Sequence, residues 1–237
     1  MANTPVVVLD DTMTSIANAI RSKTGGSATM TPGQMPAQIA SIPSGGGVGI
    51  PREVDANGVY GMPTQSFTFS LPSNATDVAD YVFNNAFYGC TGLTSADLSS
   101  LTAASGISAL NSAFNGCTNL TSVDLGSLST VSEVNAFSDA FSGCTSLTSV
   151  DLSSLSVING DGAFNYTFRG CRGLTSVSFP ALTANSFGYY TDQFRNMLNG
   201  VTGCTLHFPA ATQTKIETMM SGYPNFGGTS TTVLFDL

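Results

Sequence analysis

The sequence predicts an α/β solenoid whose coils repeat with a period of 27 in the sequence, with a parallel sheet and a small helical segment in front of it. One string recurs four times with small changes. Its copies read AFYGCTGLTSADLSSL, AFNGCTNLTSVDLGSL, AFSGCTSLTSVDLSSL and TFRGCRGLTSVSFPAL, and they begin at Ala86, Ala113, Ala140 and Thr167. The phenylalanines and the cysteines inside these copies recur with the same period as the strings themselves. A fixed period of this length is typical of a solenoid, in which each coil buries its apolar face against its neighbours.

Within one copy, Val150-Asp151-Leu152 alternates apolar and polar residues, which is the period of a β-strand. We expect Val150 and Leu152 to point inward and Asp151 outward, with equivalent strands stacked ~4.8 Å apart in a parallel sheet. The Ala-Phe-x-Gly-Cys stretch is predicted to form a tight helical turn on the opposite side of the coil. Phe141 and Cys144 are three residues apart and can both face the core.

The repeated pattern Ala-Phe-x-Gly-Cys-x-x-Leu-x-x-Val-x-Leu resembles the BspA-type (Treponema-type) leucine-rich repeat of bacterial and protozoan surface proteins. The resemblance covers Ala86 to about Leu182. It implies a leucine-rich repeat fold, although the period of 27 is longer than the usual coil of that family.

The first 43 residues are predicted to form a separate helical segment for anchoring or oligomerisation. Its two short helices cannot bury a core alone, so their apolar faces should pack on further copies or on a partner. The residues on these faces are Met13, Ile16, Ile20, Met35, Ile39 and Ile42. The segment from Asp10 to Ile42 is similar to the N-terminal segment of tail and adhesion proteins from phages and prophages, chiefly of Gram-positive hosts. The similarity rests on its Lys-Thr-Gly and Thr-Pro-x-Gln-Met phrases.

The whole chain divides into an anchor, a glycine-rich linker, an N-terminal cap with a degenerate first coil, the solenoid and a C-terminal cap. The boundaries are 1–43, 44–50, 51–86, 87–193 and 194–237. In the C-terminal cap, residues 194–198 replace Ala-Phe-x-Gly-Cys, with Phe194 in the phenylalanine position, and residues 205–209 replace the strand. A helix over 211–220 and a closing strand over 232–237 complete the prediction.

Composition argues against several kinds of partner. Seven basic residues against fifteen acidic ones leave a net charge of −8, which disfavours binding to nucleic acid or to an anionic membrane surface. No apolar run approaches the ~18 residues of a membrane span, so we expect no membrane insertion. The N-terminus lacks the basic and apolar regions of a signal peptide, and none is expected.

Five cysteines and a single histidine are the residues to consider for metal binding or catalysis. A cysteine column could be imagined as disulfides or as a metal site, but no Cys-x-x-Cys pair or nearby histidine accompanies it. We expect buried thiols that act as small apolar packing groups, and no cofactor. Since His207 belongs to no recognisable catalytic pattern in the sequence, we expect a non-enzymatic protein.

The candidate binding surface has two parts. The first is the outward strand residues Ser95, Asp97, Ser122, Asp124, Ser149 and Asp151. Carboxylates stacked about 5 Å apart repel each other, so hydroxyl groups, backbone donors, a cation or a basic partner must offset the repulsion. The second part is the variable position of Ala-Phe-x-Gly-Cys together with one aromatic loop: Tyr88, Asn115, Ser142 and Arg169, with Tyr189 and Tyr190. The variable residues are expected to be exposed, and their variation can reflect either recognition or neutral drift.

Together these features and resemblances imply a phage tail fibre or adhesin that recognises a bacterial receptor, either protein or glycan, through a rigid repeat domain. The N-terminal segment would bind other virion proteins and form a homotrimer, and the particle would be assembled in the host cytoplasm. The alternatives are an adhesin on a bacterial cell surface, a structural virion component such as a tail-tip or decoration protein, and an enzyme acting on surface polysaccharide.

Overall fold

The computed structural model describes residues 53–54, 60–61, 66–70, 76–78 and 80–237. The predicted anchor and linker lie outside this part of the chain, and so do all six predicted anchor residues, Met13, Ile16, Ile20, Met35, Ile39 and Ile42.

The described elements are short strands followed by one helix near the C-terminus. In chain order the strands are β1 (Glu53–Val54), β2 (Tyr60–Gly61), β3 (Phe67–Ser70), β4 (Asp77–Val78), β5 (Leu93–Asp97), β6 (Ala103–Ala104), β7 (Ser122–Asp124), β8 (Thr130–Val131), β9 (Ser149–Asp151), β10 (Val157–Ile158), β11 (Ser176–Ser178), β12 (Thr205–His207) and β13 (Thr232–Leu234). Helix α1 (Gln213–Gly222) lies between β12 and β13. Short 3₁₀ turns, Ala210–Thr212 and Pro224–Gly227, flank it.

The predicted parallel sheet is confirmed in strands β3, β5, β7 and β9. Ala96 pairs with Val123, and Val123 pairs with Val150. All three side chains are buried because alternate residues of a strand point to opposite faces. Strand β3 pairs in parallel with β5 and places the buried Phe69 opposite Ala96, so it extends the sheet by one strand before the repeated strings.

The C-terminal coils repeat this arrangement in strands β11, β12 and β13, which also pair in parallel. The predicted closing strand is confirmed over Thr232–Leu234, where Val233 pairs with Leu206. Helix α1 confirms the predicted cap helix, since Ile216 and Met219 are buried in the core and Met220 packs against it.

A second parallel sheet, formed by β4, β6, β8 and β10, was not predicted. Ala104 pairs with Val131, which pairs with Ile158, and all three are fully buried. Each of these strands has only two residues. An alternation of apolar and polar residues is not visible over such a short length.

The Ala-Phe-x-Gly-Cys stretch belongs to a series of linked turns, which we call the turn chain, and the prediction of a helical turn is wrong. Within each coil the N–H groups donate alternately to the carbonyl three residues back and to the next coil. The Cys90 N–H donates to the Phe87 carbonyl at 3.0 Å, and the Phe87 N–H donates to the Ala113 carbonyl at 2.7 Å. A helix would keep these donors within its own segment, whereas the turn chain uses half of them to join coils.

Left-handed residues recur at every fourth position of the turn chain, as at Asn135, Asp139 and Gly143, whose φ values are 55°, 53° and 74°. The period of four brings two residues of each four to the core, and Phe141 and Cys144 are fully buried as predicted.

Aromatic rings from successive coils stack in two columns. In the first column the centroids of Phe87, Phe114, Phe141 and Phe168 are separated by 5.1, 5.3 and 5.9 Å. The second column, which the repeated string did not predict, contains Phe137 and Phe164 at 5.5 Å.

Phe194 continues the second column, so its predicted alignment with Phe87 is wrong. The Phe164 N–H donates to the Gln193 carbonyl, as the Phe137 N–H donates to the Ala163 carbonyl one coil earlier. Leu198 then occupies the position equivalent to Phe168. The coil between Tyr166 and Asn196 exceeds the regular period, because these two neighbours in the stack are 30 residues apart. An alignment made on phenylalanines alone missed this insertion.

Candidate functional site

The outward carboxylates of the sheet form a column, as predicted. Asp97 pairs with Asp124, and Asp124 pairs with Asp151, and all three residues are exposed. The serines two residues earlier form a parallel column in the same register. Ser122 and Ser149 are exposed, and Ser95 is half-buried.

Backbone donors explain how these carboxylates tolerate each other. Each Oδ1 accepts a hydrogen bond from the N–H two residues on, from Ser99 at 3.0 Å, Gly126 at 2.9 Å and Ser153 at 2.9 Å. An aspartate in this position closes the turn that follows the strand. The three copies that carry the aspartate all make this turn, so the column has a structural origin that does not require a ligand.

Asp97 receives further hydrogen bonds from the hydroxyl groups of Ser99 at 2.6 Å and Ser70 at 3.1 Å. The Ser99 hydroxyl, followed by the Ser99 N–H, holds the pKa of Asp97 below its ordinary value because both stabilise the charged form. In the described part of the chain, no group of three or more His, Cys, Asp or Glu side chains is arranged to hold a metal ion.

The variable position of Ala-Phe-x-Gly-Cys lies on the outer surface of the turn chain, but its exposure differs between coils. Tyr88 is 54% exposed, Arg169 is also exposed, and Asn115 is half-buried. Ser142 is only 8% exposed, which contradicts the expectation for that residue. Its side chain is the smallest of the four found at this position.

Two arginines on this surface stack on tyrosines. The sequence predicted the exposure of Arg169 but neither of the two stacked pairs. The Arg169 guanidinium carbon is 5.6 Å from the centroid of the Tyr166 ring. The Arg195 guanidinium carbon is 5.4 Å from the centroid of the Tyr223 ring. The arginine and tyrosine of the second pair come from different coils, so no local sequence pattern marks it.

The predicted aromatic loop is confirmed as exposed, with Tyr189 fully exposed and Tyr190 48% exposed. Its position is fixed by Lys215 of α1, whose Nζ donates to the carbonyls of Gly188 at 3.2 Å and Tyr190 at 3.3 Å. The loop therefore presents its two tyrosines from a held backbone, a restraint that no sequence pattern had indicated.

His207 lies beside a carboxylate that is distant in sequence. Its Nδ1 is 3.0 Å from Asp236 Oδ1, and Ser178 is its neighbour in register on β11. Within the described residues no hydrogen bond joins Ser178 to the imidazole. A serine nucleophile needs a base within hydrogen-bond reach, and this arrangement does not provide one.

The five cysteines are free and buried, as predicted. We call the repeated cysteines Cys90, Cys117, Cys144 and Cys171 the cysteine ladder. Three of the ladder thiols also act as hydrogen-bond donors. The Sγ atoms of Cys117, Cys144 and Cys171 each donate to the carbonyl of the phenylalanine in the preceding coil, at 3.1, 3.1 and 3.0 Å. Cys204 lies off the ladder and is buried, also as predicted.

These stacked columns define a solenoid repeat protein of the leucine-rich type. A family described as "BspA type Leucine rich repeat region (6 copies)" matches residues 60–199. The chain therefore belongs to the BspA-type leucine-rich repeat family, as the repeated pattern had indicated.

The solved structures include a similar chain, a leucine-rich repeat protein from Bacteroides ovatus. It is 20% identical to this chain, and the alignment has a TM-score of 0.24. The alignment covers 70% of this chain and 54% of the other, so it spans about half the length of that protein. No curated protein matches the chain. Over the described ranges, no helix combines the length and apolar content needed to cross a bilayer.

Proposed function

We propose that this protein is a non-enzymatic adhesin of the phage tail-fibre type, which attaches to a bacterial surface receptor through the outer faces of its solenoid. The observation that carries the proposal is the contrast between the interior and the exterior of the coils. Phenylalanine and cysteine recur in every copy of the Ala-Phe-x-Gly-Cys stretch, while its variable position holds Tyr88, Asn115, Ser142 and Arg169. A rigid scaffold with a surface that changes from coil to coil suits specific recognition.

The place of the protein in a phage particle is supported by the similarity of residues 10–42 to the N-terminal segments of phage tail and adhesion proteins. In this proposal the segment binds other virion proteins and holds three copies together, and 44–50 provide reach. Three copies would present three solenoids, and simultaneous attachment would raise the overall affinity without any new contact.

A bacterial cell-surface adhesin is the second candidate, and the family match favours it. BspA-type repeats resemble those of bacterial surface proteins, and the matched segment covers most of the described chain. The two candidates share a recognition solenoid and differ in what carries it.

Attachment can be tested by incubating the fluorescently labelled full chain with a panel of Gram-positive cells and measuring what sediments with them. The test variant carries Tyr88→Ser and Arg169→Ser, which place at both positions the residue found at Ser142. We expect saturable attachment to some strains and a clear loss in this variant. The control variant carries Thr118→Ser and Thr145→Ser, exposed positions on the two coils between them, and should attach as the wild type does.

Equal attachment by the two variants would contradict a role for the variable surface. Absence of attachment across the panel would instead favour a structural virion component. Release of reducing sugar from cell envelopes would contradict the non-enzymatic part of the proposal.

A further inference from the structure

The arginines of the described chain are concentrated at one place, although the protein as a whole is acidic. The described part contains four Lys and Arg residues, and the three arginines lie between positions 169 and 195. The fourth, Lys215, donates to backbone carbonyls. None of the three guanidinium groups lies within 4.0 Å of a described carboxylate. Their charges are therefore available to a partner.

Two of these arginines belong to a connected cluster, which we call the arginine–tyrosine patch. It consists of Tyr166, Arg169, Arg195, Asn196 and Tyr223. The Tyr166 N–H donates to the Arg195 carbonyl at 3.1 Å, which places the two stacked pairs side by side. The Asn196 Nδ2 donates to the Tyr166 hydroxyl at 3.1 Å and fixes that ring from the next coil.

The patch is held in place before any partner arrives. Both tyrosine rings are half-buried, and both arginines that stack on them are exposed. Stacking on a ring face restrains the guanidinium plane while its N–H groups at the edge stay free to donate. Restraint of this kind reduces the entropy lost on binding.

We propose that the arginine–tyrosine patch binds the carboxylate groups of an acidic polysaccharide, one built from uronic acid residues. The proposal deepens the adhesin function and rests on it. A planar guanidinium pairs with a carboxylate through two parallel hydrogen bonds. In a uronic acid the carboxylate is attached directly to the sugar ring, so one residue can meet the arginine edge while its ring lies against a tyrosine. The amide of Asn196, which lies beside Tyr166, can bond a sugar hydroxyl.

Acidic charge disfavours such binding at the other described surfaces. The net charge of −8 repels a polyanion elsewhere on the molecule, including the Asp97, Asp124 and Asp151 column. Asp139 lies one coil back and competes for Arg169. Burial raises the pKa of Asp139, whereas the Ser138 hydroxyl and the Arg169 charge act in the opposite direction. Removing the Asp139 charge should therefore strengthen binding.

The test is calorimetric titration of the full chain with hexagalacturonate at low ionic strength, with maltohexaose as the neutral sugar of equal length. We expect binding of hexagalacturonate alone, weakening as salt is added. Arg169→Gln and Arg195→Gln should each weaken it by roughly tenfold or more, the effect of losing a charged hydrogen-bond pair. Asp139→Asn should strengthen it.

Arg172→Gln is the matched control, because Arg172 is exposed on the same coil but stacks on no ring in the described part of the chain. It removes the same charge and should change affinity by less than about threefold. Thermal melting of each variant shows that the fold is retained.

Absence of hexagalacturonate binding, or undiminished binding by the Arg169→Gln/Arg195→Gln double variant, would overturn the proposal. So would an equal loss in Arg172→Gln. If a single-stranded thymidine hexamer binds through the same arginines, the patch binds polyanions in general and the assignment to uronic acids is overturned. If the chain attaches to cells but does not bind hexagalacturonate, only the proposal for the patch is refuted. If it binds hexagalacturonate but attaches to no cells, the adhesin proposal is refuted.

Discussion

The cysteines illustrate how single residues are used in this repeat. Each ladder thiol occupies a space that suits a small apolar side chain, and three of them also donate to a phenylalanine carbonyl in the preceding coil. Thr167 does the same for the second ring column, since its hydroxyl donates to the Phe137 carbonyl at 2.9 Å. The repeat therefore uses a weak donor at an inward position without leaving a polar group unpaired.

We expect the thiols of the folded protein to be unreactive. All five cysteines are buried, and burial raises the thiol pKa of Cys117, Cys144, Cys171 and Cys204, to about 12 for Cys171 and about 11 for Cys204. Only the thiolate reacts with a disulfide reagent. Titration with Ellman's reagent at about pH 8 should detect almost no thiol in the native protein and five after denaturation. Rapid modification of the native protein would contradict this burial.

The same pKa shifts predict that the protein loses stability in alkali. Above the ordinary thiol value of 9.0 the unfolded chain releases protons that the folded chain keeps up to about 12 at Cys171. The unfolded state then binds fewer protons, so the unfolding free energy falls as pH rises, by up to about 1.4 kcal/mol per unit for each such thiol.

Chemical denaturation between about pH 8 and 11 measures this slope. Cys171→Val should make the slope shallower, because the equivalent position in the next coil is occupied by the buried Val201. An unchanged slope would show that other groups cause the loss.

At the scale of the element, the strand and the turn that follows it depend on the aspartate column. Asp124 has an aspartate on either side in the sheet and also closes its own turn through the Gly126 N–H. Its charge and its hydrogen-bonding role therefore have opposite effects on stability.

Substitution of Asp124 separates the two effects. Asp124→Asn keeps an acceptor for the Gly126 N–H and removes the repulsion, so it should raise the unfolding free energy by up to about 0.5 kcal/mol. Asp124→Ala loses the acceptor and should lower it by about 1 kcal/mol. Urea denaturation compares them. A melting temperature of the wild type that falls when EDTA is added would show that a cation offsets the repulsion.

Glycines in two elements should respond very differently to alanine. Gly143 of the turn chain has φ of 74°, but an added Cβ would be 3.6 Å from Gly116 Cα, an ordinary contact. Gly143→Ala should therefore cost about 1 kcal/mol, the penalty of the left-handed conformation. At Gly160 the Cβ would be 1.9 Å from the Glu133 carbonyl oxygen. Gly160→Ala should cost more than about 3 kcal/mol or prevent folding. Similar melting temperatures for the two variants would contradict this close approach of the coils.

At the scale of the whole molecule, the solenoid is a stack in which each coil is covered by the next. The C-terminal end is closed by β13 and by α1, and Phe226 packs against Phe194 and Phe208 with centroids 5.5 and 6.5 Å apart. These contacts cover aromatic core residues of the last described coil, and we expect the proposed trimer to form through another part of the chain.

We expect the assembly to depend on the N-terminal segment. Light scattering of the full chain and of residues 51–237 should give a trimer and a monomer, respectively. Two monomers would mean that the segment needs a partner from a larger particle, and retrieval of proteins by residues 1–50 would follow. An oligomer of 51–237 would show that the solenoid itself carries assembly.

The sequence alone determined the period, the first parallel sheet and the buried phenylalanines and cysteines of the repeated string. These follow from translation by one repeat period, which brings each residue beside its own copy, so that Asp97, Asp124 and Asp151 had to align. The spacing of Phe141 and Cys144 placed the repeated cysteines in the core, and the residue pattern of 232–237 placed a closing strand at the sheet edge.

Only the tertiary structure decided which unlike residues meet. His207 pairs in register with Leu234 at the regular period, and Asp236 reaches the imidazole from beyond that partner. Tyr166 and Asn196 are 30 residues apart, so that pair depends on a lengthened coil. The turn chain could not be predicted from the sequence either. Half of its N–H groups bond to the next coil, while its residue pattern resembles that of a helical turn. A period predicts contacts between copies of one residue, whereas the arginine–tyrosine patch arises where that period is broken.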